Sequence, residues 1–185
     1  TLSIGAIGFG GLFAVYTYLA NTLLEVTRVG PEVLPLVLAV FGIGMTLGNI
    51  VIPRFADRAL MPTAGWLLVW SAAMLALYTL AAANIWTIMA SVFAIGLGGA
   101  LATTLQTRLM DVAGEAQTLA AALNHSAFNV ANALGPFLGG LAIAAGFGLT
   151  STGLVGSALA LGGLAIWAVA RAIADQKPDP RPDQR

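Results

Sequence analysis

The sequence contains no cysteine, which excludes a disulfide framework, a thiolate metal site and thiol chemistry. Charge is also scarce, with 8 basic and 8 acidic residues among 185. A water-soluble domain is about a quarter charged, whereas here the charged fraction is 9% and the mean hydropathy is +0.89. The composition therefore excludes a soluble globular protein. A net charge of zero gives no reason to expect a nucleic-acid partner.

The charged residues separate four charge-free runs, which cover residues 1–24, 33–53, 59–107 and 116–170. A helix needs about 20 apolar residues to cross the hydrocarbon core of a bilayer. The two shorter runs therefore hold one membrane span each. The runs of 49 and 55 residues hold two each. The expected partner is the lipid bilayer, crossed six times.

The sequence thus predicts an all-α, polytopic membrane protein whose 185 residues form a single six-helix bundle. A membrane β-barrel is excluded because the apolar stretches do not alternate with a period of two. Asn84 with Trp86 divides the third run, and the stretch that begins at Gly146 divides the fourth. The predicted helices are Ile4–Leu24, Pro35–Ile52, Thr63–Ala83, Ile85–Leu105, Thr118–Ala145 and Thr152–Ala172.

The distribution of Lys and Arg predicts the orientation in the membrane. Seven of the eight follow the second, fourth and sixth predicted helices, and only Arg28 lies at the other ends. Basic loops stay in the cytoplasm, so both termini are expected there, with the chain in the cell's inner membrane. The Pro-interrupted tail, residues 173–185, is predicted to be a disordered cytoplasmic segment.

An internal similarity suggests two repeats. At an offset of 88 residues, Ala6–Gly11 matches Ala94–Gly99 at five of six positions, and Gly65 falls on Gly153. Repeats of about 4–83 and 85–172 would each hold three spans, so the second copy would be inverted in the membrane. An inverted three-plus-three repeat is the architecture of half a secondary transporter. Similar glycine content alone would produce the same matches.

Polar side chains share one face of the fifth predicted helix. At 100° per residue, His125, Asn129, Asn132 and Pro136 lie within about 60° of one another. Such a face is costly in lipid and should look into the bundle or a water-filled cavity. His125 is the only ionisable side chain of the charge-free runs. It is either a proton carrier or a neutral histidine that holds a neighbouring helix.

The first predicted helix has a second polar face. Thr17 and Asn21 share one side of it, and Tyr16 adds an aromatic ring with one hydroxyl. Together with His125 and the two asparagines, these residues are the predicted binding site for a small neutral or weakly polar solute. Hydrogen bonding between helices would explain the amides equally well, and core packing would explain the aromatic ring.

The same residues favour a protein that is not an enzyme. His125 and Ser126 lie about 100° apart on their helix and cannot form a nucleophile and base pair. No cluster of metal ligands is present in the sequence, so no metal or cofactor is expected. No Asp, Glu, Lys or Arg lies inside a predicted span. Proton coupling would therefore depend on His125 or on residues outside this chain.

Several stretches resemble the drug and sugar efflux group of the major facilitator superfamily, which includes arabinose efflux permeases. Asn124–Gly140 is similar to the family's eleventh helix. The stretches Phe13–Ala20, Phe41–Asn49 and Leu105–Ala113 are similar to its seventh helix, eighth helix and the end of its tenth. The similarity runs from about residue 5 to 172 and covers half of a twelve-helix fold.

The resemblance implies the carboxyl-terminal half of a secondary transporter that exports small molecules by alternating access, as a proton-coupled antiporter. Its partner would be the matching amino-terminal half or a second copy of the chain. The chain begins with Thr1 rather than Met, so a fragment or a truncated gene product is also expected to fit. The alternative is a six-helix membrane partner, or an inactive fragment, without transport activity.

The loop Gly48–Arg58 is similar to the family's signature cytoplasmic loop, in which Asp57 and Arg58 match. The resemblance implies a cytoplasmic gate formed by Arg54, Asp57, Arg58 and Arg108. Pairing of Asp57 with Arg108 would close this gate. Pro53 and Phe55 depart from the family pattern, which weakens the assignment. The alternative is that the arginines only fix topology.

Overall fold

The computed structural model describes residues 1–175, and within them it contains helices and short turns but no strand. The predicted all-α fold is therefore confirmed. Its α-helices are α1 Leu2–Gly8, α2 Gly10–Thr22, α3 Leu34–Val51, α4 Pro53–Ala56, α5 Leu60–Ala81, α6 Ile85–Leu97, α7 Leu101–Ala113, α8 Gln117–Ala142 and α9 Ser151–Asp175.

These helices join into six membrane spans. Span 1 consists of α1, α2 and a π-helical turn at Leu23–Thr27, and span 2 consists of a 3-10 turn at Pro31–Val33 with α3 and α4. Span 3 is α5. Span 4 is α6 and α7, joined by a 3-10 turn at Gly98–Ala100. Span 5 is α8 with a π-helical turn at Ile143–Phe147, and span 6 is α9.

Spans 4 and 5 belong to one nearly continuous helical stretch, Ile85–Phe147, which has 63 residues. A straight helix of that length would measure about three times the thickness of the hydrocarbon core. The backbone instead reverses near Gly114, whose φ of +53° is one that glycine adopts without strain. Gly5 packs beside both Leu105 and Phe128, so the chain returns to the same depth after the turn. The stretch is therefore two spans.

The sequence predicted that the two long charge-free runs divide at Asn84 and near Gly146, and the structure has helix boundaries at both places. Asn84 has an extended backbone, and its side chain accepts a hydrogen bond of 2.9 Å from the backbone N–H of Trp86, which caps α6. Gly146 and Gly148, with φ of +89° and +77°, end span 5 before α9 begins at Ser151. The start of α6 is therefore explained by the Asn84 cap, and the end of span 5 by two glycines with positive φ.

Several predicted helices were too short. Span 2 extends four residues beyond each predicted end. Span 4 continues to Ala113 instead of Leu105, because Arg108 and Asp111 extend the helix beyond the apolar segment. The expected disordered tail began at residue 173, but α9 remains helical to Asp175. The remainder of that predicted tail, residues 176–185, lies outside the described residues.

Span 1 is the most deeply packed helix and contacts spans 3, 4, 5 and 6. Glycines allow this close approach. Gly8 packs on Gly163 of span 6, Gly11 on Gly156 of span 6, and Gly10 on the backbone of Gly135 in span 5. Membrane helices gain no hydrophobic free energy from contact with each other, so close backbone packing provides the attraction.

The contacts of matching glycines are reciprocal. At an offset of 87 residues, Gly48 of span 2 falls on Gly135 of span 5. Gly48 packs against span 4, and Gly135 packs against span 1. Gly65 of span 3 packs on Trp167 of span 6, whereas its counterpart Gly153 of span 6 packs on Tyr78 of span 3. These two pairs of contacts are related as an inverted repeat requires.

Candidate substrate-binding face

The predicted stripe on span 5 lies on the exposed side of that helix. His125, Asn129 and Asn132 are all exposed, while Ala131 and Gly135 on the other side are buried. Pro136 has no N–H, so the carbonyl oxygen of Asn132 lacks its usual helical partner. The backbone thus adds a free acceptor to a face that already carries two amides and one imidazole.

The predicted residues of span 1 are exposed as well. Thr17 and Asn21 lie on the outer surface of α2, and Tyr16 keeps 44% of its surface exposed. The ring of Tyr16 packs on Phe41 of span 2, with 5.1 Å between the ring centroids. Tyr16 therefore presents a ring edge and a hydroxyl from a position fixed against a second helix.

Spans 1 and 5 run in the same direction and in contact, so their exposed polar side chains lie on neighbouring helices. Phe9 meets Phe128 with 4.9 Å between centroids, Gly10 meets Gly135, and Tyr18 meets Pro136. The contacts advance along both helices in step. In this register His125 and Asn129 lie toward one end of the bundle and Asn21 toward the other. We call the combined surface of Tyr16, Thr17, Asn21, His125, Asn129 and Asn132 the polar face.

Tyr18 holds the two helices in this register, a role the sequence analysis missed. Its hydroxyl donates a hydrogen bond of 2.9 Å to the carbonyl oxygen of Pro136. Its ring packs on Gly139 and its hydroxyl on Gly140, where a Cβ atom would crowd the tyrosine. The sequence gives little indication of this contact. It shows only that Tyr18 lies near Tyr16 and that Gly139 and Gly140 follow Pro136.

A second polar connection joins spans 2 and 4. The Thr103 hydroxyl donates to the Asn49 side-chain oxygen over 2.9 Å, and the Asn49 amide donates to the carbonyl oxygen of Met45 over 2.9 Å. Thr103 remains exposed. Neither residue was among the predicted site residues, because a single amide or hydroxyl near a helix end does not indicate a partner 54 residues away.

Spans 3 and 6 expose a different kind of surface. Apart from Arg171 near the end of span 6, the exposed large side chains described on these spans are apolar: Trp66, Val69, Trp70, Leu77 and Leu80 on span 3, and Leu154, Leu161, Val169 and Ile173 on span 6. Trp66 alone has 74% of its surface exposed. We call this surface the apolar face. Hydrocarbon is the natural environment for such side chains.

The predicted gate residues lie at one end of the bundle. Arg54, Asp57 and Arg58 are exposed around the short helix α4, and α4 contacts α7, which carries the half-buried Arg108. Among residues 1–174, no ion pair within 4.0 Å joins Asp57 to any of these arginines. The four residues therefore share a region without forming the expected pair in this conformation.

The polar face offers neutral groups to a ligand. It provides amides, hydroxyls and one imidazole, each able to donate or accept hydrogen bonds. Within residues 1–175, no group of three or more His, Cys, Asp or Glu side chains is close enough to hold a metal ion. The surface therefore suits hydrogen-bonding solutes without a fixed charge.

A family model described as Major Facilitator Superfamily matches residues 1–185. The Inner membrane transport protein YdhP of Escherichia coli (strain K12) is 35% identical over 161 residues, which are 86% of this chain and 41% of that protein. The Uncharacterized MFS-type transporter YtbD of Bacillus subtilis (strain 168) is 29% identical over 164 residues, 86% of this chain and 41% of the relative.

The Probable sugar efflux transporter of Helicobacter acinonychis (strain Sheeba) is 28% identical over 157 residues, 84% of this chain and 40% of that protein. The chain thus spans less than half the length of these relatives.

Proposed function

The chain belongs to the Major Facilitator Superfamily, and from this membership we propose that it forms one six-helix half of an efflux transporter. The polar face would line one wall of a central pathway. The opposing wall would come from an amino-terminal half of the same transporter or from a second copy of this chain. The relatives are more than twice as long as the matched segment, which supports a missing half.

The observation that carries the proposal is the placement of exposed polar groups on adjacent, parallel helices. Asn129, Asn132 and Thr17 have no role in packing that would require an amide or hydroxyl there. Polar groups that face hydrocarbon are costly. A water-filled pathway closed by a second half removes that cost and gives the groups a ligand to bind.

The proposed solute is small and neutral or weakly polar, because the polar face carries no fixed charge. The names of relatives include "sugar efflux transporter", which agrees with a hydroxyl-rich solute bound by amides. His125 is the proposed proton carrier if export is coupled to protons, because it is the only basic side chain of the polar face. The competing role is a neutral histidine that holds a neighbouring helix.

The proposed gate and orientation rest on charge. Seven of the eight Lys and Arg residues lie near or beyond the carboxyl ends of the even-numbered spans, which would place both termini in the cytoplasm. The contact between α4 and α7 brings the loop of Asp57 near the helix of Arg108. We propose that Asp57 and Arg108 pair in one conformation and separate in the other. The reciprocal glycine contacts support the inverted repeat that such a motion needs.

A complementation experiment tests the proposal. Cells would express this chain alone, a matching amino-terminal half alone, or both, and accumulation of sugars and other neutral solutes would be measured. Export only with both halves is expected. Export by the chain alone, with the chain monomeric in the membrane, would contradict the half-transporter role. No export of any solute by the pair would favour the non-transporting partner.

A further inference from the structure

An apolar groove lies outside the polar face, between spans 2 and 3. It is a cavity of about 610 Å³, and its walls include Ile52, Phe55, Thr63, Trp66 and Trp70. A second cavity of about 270 Å³ lies on the other side of Trp66, toward span 6. We call the two cavities together the Trp66 groove.

Arginines are the charged residues at the edges of this groove. Arg58 lines the larger cavity and Arg171 lines the smaller. Among the described residues, no Asp or Glu lines either cavity. Asp57 precedes Arg58 but is exposed on the loop and is not part of the walls. The groove therefore combines an apolar interior with positive charge at its rim.

The tryptophans that frame the groove are held in place. The Trp70 ring N–H donates to the carbonyl oxygen of Ala94 over 2.8 Å, and the Trp167 ring N–H donates to that of Met61 over 2.6 Å. Arg171 lies over the ring of Trp167, 5.6 Å from its centroid. These contacts give the walls a fixed shape. Trp66, between the two cavities, is exposed and free to contact an occupant.

The rim also offers backbone donors. Helix α5 begins at Leu60 beside Arg58, and its N-cap, Ala59, provides no side-chain cap for the first N–H groups. A helix amino terminus attracts anions, and an arginine binds phosphate oxygens in a bidentate manner. Both features lie at one end of the groove, beside its apolar walls.

We propose that the Trp66 groove binds an anionic glycerophospholipid, with its phosphate at Arg58 and an acyl chain in the larger cavity. The apolar walls match the hydrocarbon chain, and the arginines without a facing carboxylate select a negative head group over a zwitterionic one. This inference does not rest on the transport function, because the groove lies outside the polar face.

Tryptophan quenching by brominated lipids tests the site. Three of the four tryptophans, Trp66, Trp70 and Trp167, line the groove, and Trp86 does not. The 185-residue chain carrying Trp86→Phe would be placed in vesicles with brominated phosphatidylglycerol or brominated phosphatidylcholine. One arginine near the membrane surface contributes about 1 kcal/mol, so we expect about fivefold tighter association of the anionic lipid.

Arg58→Gln should bring the ratio of anionic to zwitterionic lipid association close to one. Arg54→Gln is the matched control. Arg54 is exposed in the same loop but does not line the groove, so its replacement should preserve the preference. Equal association of both lipids with the parent chain would overturn the proposal. An equal loss in both arginine variants would also overturn it, because it would indicate diffuse surface charge. Failure of both lipids to quench the fluorescence of the three tryptophans would also overturn it, because no lipid would then enter the groove.

Discussion

The polar face of spans 1 and 5 and the apolar face of spans 3 and 6 are both exposed in this chain, yet their side chains differ in kind. Asn129 and Asn132 are exposed on one, and Leu154 and Leu161 on the other. Exposure alone does not separate the surface that meets lipid from the surface that meets water. The chemistry of the exposed groups does, because a bilayer cannot satisfy an amide.

A charge placed on each face should give the largest difference. Ala165 on span 6 and Ala133 on span 5 are both exposed alanines. We expect Ala165→Arg to lower the membrane-inserted fraction strongly, since an arginine at mid-helix costs about 3 kcal/mol on insertion scales. Ala133→Arg should insert far better, because Ala133 is next to Asn132 of the polar face, which we assign to an aqueous pathway.

Alkaline extraction of membranes from cells that also express the amino-terminal half would measure insertion. An equal loss of the two variants from the membrane fraction would contradict the distinction between the faces.

Spans 1 and 5, which carry the polar face, pack closely at Gly135. A Cβ atom at Gly135 would collide with the backbone of Gly10, whereas a Cβ atom at Gly42 would meet nothing within 4 Å. We expect Gly135→Ala to destabilise the bundle by about 1–3 kcal/mol. Gly42→Ala is the matched control and should leave stability almost unchanged. Thermal unfolding in detergent would measure both, and identical midpoints would argue against this packing.

Removal of the two amides tests binding at the polar face. Each lost hydrogen bond costs about 0.5–1.5 kcal/mol, so Asn129→Ala with Asn132→Ala should raise the KM for an exported solute about tenfold. The control is Leu161→Ala on the apolar face, which should leave KM unchanged. Uptake into inverted vesicles measures both. Unchanged KM in the double variant for every exported solute would remove these residues from the binding site.

A substitution at Tyr18 tests the register of spans 1 and 5, and it has the smallest expected effect. Tyr18→Phe keeps the ring and removes the hydroxyl that donates to the Pro136 carbonyl oxygen. We expect a loss of stability of about 1 kcal/mol and a reduced export rate, because the two parts of the polar face would shift relative to each other. Thermal unfolding and export measured together check this. A variant that loses neither would show that the hydrogen bond does not set the register.

Much of the fold could be predicted because its signals are local. The charge-free runs determined six spans, and Asn84 and Gly146 marked two of the turns. The extension of span 4 to Ala113 could not be predicted from apolar residues alone, since a helix can continue into water through polar residues such as Arg108. Length limits in lipid determine where a span must exist, and they do not determine where its helix stops.

The candidate site was predictable only where polar residues repeat on one helix. His125, Asn129 and Asn132 recur at helical spacing and were found in this way. Tyr18 was not, because its partner Pro136 is 118 residues away and a half-buried tyrosine has no periodic signal. The same holds for the hydrogen bond between Asn49 and Thr103. Contacts between distant helices become visible only when the register of the helices is known.

The central claim is that the polar face lines an aqueous pathway. Cysteine labelling tests it most directly, because the chain has no cysteine and each introduced thiol would be the only one. Single cysteines at Asn132 and Thr17 of the polar face would be compared with cysteines at Leu161 and Ala165 of the apolar face, with the amino-terminal half present. The thiolate is the nucleophile that attacks a maleimide, and it forms in water and not in hydrocarbon.

A water-soluble, membrane-impermeant maleimide should therefore label the cysteines of the polar face, from at least one side of the membrane, and leave those of the apolar face unlabelled until the membrane is dissolved. Protection of all four positions, or equal labelling of all four, would contradict the assignment of the polar face to an aqueous pathway.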